Sequence, residues 1–232
     1  MTSESANELD EASYEEPVLK MGVEGLDDIL CGGLTAGRLY LVEGAPGSGK
    51  TTVALQFLLE GVAEGEKVLY VTLSETEEEL RGVARSHGWN LAGIEVREML
   101  PPEDALAPDG QNTMFHASEI ELVEATHRIL GEVDRIMPTR VVFDSMSELR
   151  LMAGDSLRYR RQVLALKQYF AVRGCTVMLL DDMTASDHDL QVQSIAHAVV
   201  LPEQLTPEYG PDRRRLRVVK YRGMAFRGGY HD

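Results

Sequence analysis

The sequence predicts an α/β domain: a mostly parallel central sheet with helices on both faces and antiparallel strands at its C-terminal edge. Three observations predict it. Short apolar, β-branched runs alternate with longer segments of helical spacing. The first such run passes directly into a glycine-rich turn and then a helix. Two further strand-like runs, over residues 195–201 and 215–221, lie near the end of the chain.

Each element follows from local pattern. Residues 1–16 carry Glu4, Glu8, Asp10, Glu11, Glu15 and Glu16 with no Lys or Arg, a composition that predicts a disordered acidic tail. Folded sequence is expected over 17–232. Glycines at 22, 25, 32, 33 and 37 bracket an apolar segment that predicts a short helix over 26–30. A strand follows over 38–43. Val53, Leu55, Phe57, Leu58 and Val62 then predict a helix over 52–64. After a strand at 67–73, Thr76 and Glu79 have capping-box spacing and open a helix that ends near Gly88. The Pro-, Asp- and Gly-rich stretch 93–117 reads as irregular, with one short strand near 94–96. Ile120, Val123, Ile129 and Val133 predict a helix over 117–137. A strand at 140–144, a helix at 156–173 closed by Gly174, and a strand at 175–181 complete the alternation.

Composition narrows the function classes. The chain has 232 residues, 44% hydrophobic and 26% charged, with a formal net charge of −15. Such acidity repels phosphate backbones and weighs against a dedicated nucleic-acid binder. The densest basic run, Arg213, Arg214, Arg215 and Arg217, reads as a solvated or interface patch. No apolar stretch approaches the roughly 18 residues that span a bilayer, so no membrane partner is expected. The acidic N-terminus resembles neither a signal nor a transit peptide, and cytoplasm is the default. Cys31 and Cys175 lack metal or redox spacing and are expected to be buried, reduced thiols. The six histidines show no zinc pattern, and the ten methionines read as core filler.

One motif carries the chemistry. Gly44-Ala45-Pro46-Gly47-Ser48-Gly49-Lys50-Thr51 is G-x-x-x-x-G-K-T between a strand and a helix. Small residues let backbone N–H groups converge on phosphate oxygens, and the helix N-terminus favours the anion. Lys50 is expected to reach the outer phosphates of a nucleoside triphosphate, and Thr51 to ligate Mg²⁺. Asp144 ends an apolar strand and is the expected second Mg²⁺ ligand, with a helix N-cap as the alternative. Glu75 closes the second strand at the same sheet edge and is the candidate for orienting water. Glu77, Glu78 and Glu79 read instead as a solvated helix start. Lys220 and Arg222, two apart on a strand, share a face and suit the spread charge of a transferring phosphoryl group. A cationic edge strand that discourages aggregation has the same spacing. Asp181 and Asp182 fit a nucleotide sensor and an ordinary strand-end turn equally.

With these residues in view, the chain resembles the RecA-like ATPases of the KaiC type. The likeness runs through residues 25–34, the phosphate loop, 71–89, 140–149, 209–216 and 219–223, and is closest to the first ATPase domain of the family's clock protein. It implies a RecA-like P-loop fold and a ring, most commonly a hexamer, with ATP and Mg²⁺ between subunits. Ala45, Pro46, Gly47, Ser48, Gly49, Lys50, Thr51 and Thr52 would cradle the triphosphate, and Ser86 would lie near the nucleotide. Lys220, Tyr221 and Arg222 would reach ATP from the adjacent subunit. The expected output is a conformational change of the ring read by a partner protein, with hydrolysis slow because Glu75 must substitute for the glutamate that Ser74 replaces. Where the family has two adjacent glutamates closing the second strand, this chain has Ser74 and Glu75, and Met224 and Phe226 replace a Thr and a His. Two alternatives remain at this level: a nucleotide-glued scaffold without hydrolysis, and a DNA-dependent ATPase of recombinase or helicase type.

Overall fold

The computed structural model describes residues 16–99, 117–183 and 191–232. The predicted acidic tail lies outside them apart from Glu16, which pairs with Arg38. The central sheet contains β3 (Leu39–Glu43), β4 (Val68–Thr72), β5 (Ile94–Glu98), β6 (Arg140–Asp144), β7 (Thr176–Asp181), β8 (Ala198–Leu205) and β9 (Arg213–Tyr221). Their order is β5-β4-β6-β7-β3-β8-β9. Every neighbouring pair is parallel except the last, β8 with β9. A small antiparallel pair, β1 (Val18–Leu19) and β2 (Leu34–Thr35), flanks the short helix α1 (Glu24–Ile29).

The pleat divides the core in two. Leu39, Leu41, Val71, Phe143 and Leu179 face α4 (Ala117–Ile136), α5 (Met146–Ala153) and α6 (Ser156–Val172), packing on Ile129, Leu149, Val163 and Phe170. Tyr40, Val42, Tyr70, Val142 and Leu180 face α1, α2 (Lys50–Ala63) and α3 (Glu77–Ser86), packing on Leu26, Leu55, Phe57 and Leu80. Strands covered on both faces need apolar side chains at consecutive positions, which is why these runs do not alternate. The chain leaves β3 for β4, which lies beyond β7 and β6. The loop after β3 therefore sits over the carboxyl ends of its neighbours, the usual place for a ligand crevice in such a sheet.

Several expectations are met closely. The capping box at the start of α3 is present, with the Thr76 hydroxyl accepting from Glu79 N and the Glu79 carboxylate accepting from Thr76 N at 2.7 Å. Others need correction. Residues 146–153 form α5, which the sequence reading missed, and α7 (Gln191–Ile195) precedes β8. β8 thus begins at Ala198 rather than at 195 and extends to Leu205. Cys31 is exposed, because it occupies a left-handed turn (φ 55°) just past α1; Cys175 is buried. Met21, Met146 and Met178 fill the core as expected, whereas Met137 and Met183 are exposed. Among the described residues no helix is long and apolar enough to cross a membrane.

Candidate functional site

The phosphate loop rises from β3 and ends at Gly49, whose left-handed conformation (φ 102°) starts α2. No side chain caps that end, so the first-turn amides point toward the space the loop encloses. The turn is tight. A Cβ on Gly44 would lie 2.5 Å from the Pro202 carbonyl oxygen and 2.6 Å from Ser48 Oγ, so only glycine fits there. Ser48 Oγ is buried with no hydrogen-bond partner among the described residues, an acceptor and donor left for something in the loop.

Lys50 is 6% exposed and fully engaged. Its Nζ donates to the carbonyls of Gly44 (2.8 Å) and Ala45 (3.2 Å) and pairs with Asp182 Oδ1 at 2.9 Å. Asp182, left open between sensor and turn by sequence, is thus part of the site. Its neighbour Asp181 points into the core and pairs with Arg150 at 2.5 Å. Thr51 Oγ1 lies 3.5 Å from Asp144 Oδ2, and the Tyr70 hydroxyl donates to that same carboxylate oxygen at 2.5 Å. Asp144 is not the N-cap of the next helix; that position falls to Ser145, after a cis Asp144–Ser145 peptide.

Tyr70 was not anticipated. Its signal lies in register: β4 and β6 pair Tyr70 with Val142 and Thr72 with Asp144, placing Tyr70 and Asp144 on one face, two residues apart along adjacent strands. A tyrosine within the apolar run Val68–Val71 was the hint.

The electrostatics suit a polyanion bound with a metal. Burial pushes the Asp144 carboxyl above the usual range, the Tyr70 hydrogen bond pulls it down, and nearby Asp182 pushes it up. Burial likewise raises the Glu75 carboxyl, with Asp144, Glu79 and Asp182 adding to the rise and Lys50 opposing it. Glu75 Oε2 is buried without a partner among the described residues, while its backbone is fixed by Thr72 Oγ1, which accepts from Glu75 N at 2.9 Å. A hydroxyl and a carboxylate facing one another are hard oxygen ligands of the kind Mg²⁺ takes. Thr51 and Asp144 fit that metal.

These groups surround one cavity of about 320 Å³, lined by Pro46, Gly47, Gly49, Lys50, Thr51 and Thr52 together with Ser74, Glu75, Val83, Asp144, Asp182 and Arg214. Ser86 stands apart, exposed at the end of α3 with its hydroxyl donating to Val83 O at 2.7 Å. Lys220 and Arg222 are also elsewhere. Arg222 donates to Ser194 O at 2.5 Å and lines a second cavity of about 340 Å³ with Arg38, Lys167 and His197. Tyr221, between them, turns inward: its hydroxyl accepts from Thr35 N at 2.8 Å and lies 3.1 Å from Gly33 O. Alternation along the strand accounts for this, since a K-x-R pair on one face puts the middle residue on the other.

A P-loop between β3 and α2, an acid at the end of β6 and an open parallel sheet define the fold family, and comparison with known proteins places the chain within it. The family model described as the KaiC ATPase matches residues 19–231. The chain belongs to the KaiC ATPase family. It is 29% identical over 211 residues to a UPF0273 protein of Methanopyrus kandleri, covering 88% of this chain and 83% of that protein. It is 30% identical over 238 residues to the circadian clock oscillator protein KaiC of Synechococcus elongatus, covering 99% of this chain but 45% of the relative. The circadian clock protein KaiC3 of Synechocystis is 27% identical, with 91% and 42% covered. The chain therefore spans most of the UPF0273 relative and less than half of the clock proteins. Its seven-stranded, mostly parallel sheet is that of a RecA-like ATPase domain.

Proposed function

We propose that this KaiC-family domain binds Mg-ATP and hydrolyses it slowly at the interfaces of a hexameric ring whose conformation a partner protein reads. The observation that carries the reading is the convergence of Lys50, Thr51, Asp144 and Glu75 on one cavity at the mouth of the phosphate loop. Family membership and the separation of Lys220 and Arg222 from that cavity support assembly: their charge is useful to a nucleotide only if another copy presents one.

Thr51 and Asp144 would hold Mg²⁺, which neutralises phosphate charge when bound. Lys50 exchanges its carbonyl and Asp182 contacts for phosphate oxygens. Glu75, half-buried and inclined to take a proton, accepts one from the attacking water. The water oxygen bonds to the γ-phosphorus as the β–γ bridging bond breaks, and ADP leaves with that bridging oxygen. Lys220 and Arg222 of the next subunit stabilise the charge in transit, a contribution of the kind worth about 10³–10⁵ in rate for trans-acting arginines.

Phosphate release by the wild type, measured beside Lys50→Ala and Glu75→Gln, tests this. Slow release by the wild type and none by Lys50→Ala are expected, with Glu75→Gln lowered about 10²-fold or more. Release equal to that of Lys50→Ala removes the enzyme. Of the two alternatives, Ser74 favours the scaffold in which nucleotide joins subunits, since it stands exposed where the family has a glutamate.

A further inference from the structure

We propose that Tyr70 is a positioning residue for the metal: its hydroxyl fixes Asp144 so that this acid and Thr51 present their oxygens to Mg²⁺ together. This rests on the proposed Mg-nucleotide site and gives a role to a residue outside the phosphate-loop motif.

A tyrosine at this place needs a reason. Tyr70 is fully buried in the apolar cluster that also holds Val42, Leu55, Leu80 and Val142. A phenol hydroxyl in such surroundings costs stability unless it is hydrogen-bonded, and phenylalanine would fill the same space without that demand. Tyr40, in the same cluster, shows the ordinary solution: its hydroxyl donates to a backbone carbonyl, Thr35 O, at 2.7 Å. Tyr70 instead donates to a carboxylate 74 residues further along the chain, at 2.5 Å.

That contact fixes how the acid is presented. Tyr70 and Thr51 both meet Asp144 at Oδ2, and among the described residues nothing donates to Oδ1. An aspartate side chain can turn about two bonds; a donor carried on a rigid ring, itself held by the pairing of β4 with β6, removes that freedom. The Thr51 hydroxyl, 3.5 Å from the same oxygen, keeps its lone pairs for a cation when it donates to the carboxylate. Carboxylates that ligate metals are commonly held by such an outer hydrogen bond, and losing it lowers metal affinity about 10–100-fold.

The test compares the ATP affinity of the full chain in excess Mg²⁺ with its affinity in EDTA, by titration, for the wild type, Tyr70→Phe and Tyr40→Phe. The gain that Mg²⁺ brings is expected to fall about 10-fold or more in Tyr70→Phe, with the affinity in EDTA unchanged. Tyr40→Phe loses a buried hydroxyl from the same core and is expected to keep the wild-type gain. A hydroxyl that served packing alone would not separate the two conditions.

A full Mg²⁺ gain in Tyr70→Phe, an equal loss of that gain in Tyr40→Phe, or the same loss of affinity with and without the metal would each overturn the proposal. So would a failure of Tyr70→Phe to fold where Tyr40→Phe folds, since the hydroxyl would then serve the core. The two readings fail separately. If the wild type releases no more phosphate than Lys50→Ala, hydrolysis is lost, and the Mg²⁺ dependence of binding still decides the role of Tyr70. If the wild type itself gains nothing from Mg²⁺, the metal site is lost and the proposal with it.

Discussion

Asp144 and Glu75 place negative charge where the fold itself disfavours it. Both carboxyls are raised above their ordinary values of 3.8 and 4.5, chiefly by burial. In the nucleotide-free protein the folded chain therefore holds protons that the unfolded chain has already released. Stability falls as pH rises from those ordinary values through the raised folded ones, because the native state then binds more protons than the unfolded state. Glu75→Gln and Asp144→Asn remove the charged form. Each is expected to melt higher than the wild type above that window and to converge with it below, read as the difference in Tm across pH. Such variants gain stability while losing the site, the usual exchange at a functional centre. Lys50, Thr51 and Asp144 were legible in sequence because a motif and a strand end fix them. Tyr70 and Arg214 were not, because each reaches the site through pairing between strands distant along the chain.

At the scale of elements, Arg140 shows how one side chain locks several together. It is 1% exposed at the start of β6. Its Nε and Nη2 meet the two Glu66 carboxylate oxygens at 2.8 and 3.0 Å, while Nη1 donates to Lys20 O at 2.7 Å and Phe57 O at 3.0 Å. Gly61 on α2 makes room, since a Cβ there would sit 2.8 Å from Arg140 Cδ. Lysine cannot reproduce that fork. Glu66→Gln removes the counter-charge of the buried guanidinium and Arg140→Lys keeps the charge but loses the fork; each is expected to cost about 1–3 kcal/mol, checked by urea unfolding with an unchanged m-value. α5 escaped notice for a different reason. It has only eight residues, and its cap, Ser145, makes no side-chain bond that a pattern would reveal. Its buried Met146, Leu149 and Ala153 do follow i, i+3, i+7 spacing, and Gly154 ends it in a left-handed turn. That stripe spans only about two turns, less than the window of roughly 11–18 residues over which a helical period is read.

The whole molecule presents one set of charges to its own cavity and another, around Lys167, Lys220 and Arg222, away from it. Burial and the mutual repulsion of these cations depress Lys167 and Lys220 below the usual lysine range. An anion brought by another copy would relieve that repulsion. Mass measurement with and without Mg-ATP is expected to show nucleotide-dependent assembly, and a lone subunit indifferent to nucleotide would end the ring. Arg222→Ala is expected to remain folded with reduced turnover. Co-assembly with Lys50→Ala should then restore some activity, since each partner supplies the half the other lacks. Failure to recover at every ratio would place Arg222 outside trans action.

Local sequence alone determined the phosphate loop, the strand–helix alternation, the capping box of α3 and the acid closing β6, because each depends on residues close together in the chain. Strand order and register lay beyond it, and with them the Tyr70–Asp144 contact, the Lys50–Asp182 pair and the placing of Arg214 beside the loop. Those depend on which distant strands become neighbours, a choice made by packing both faces of the sheet at once. The inward turn of Tyr221 shows the division in a single residue: its motif pointed to a ligand, while the pleat and the β2 backbone gave its hydroxyl to the fold.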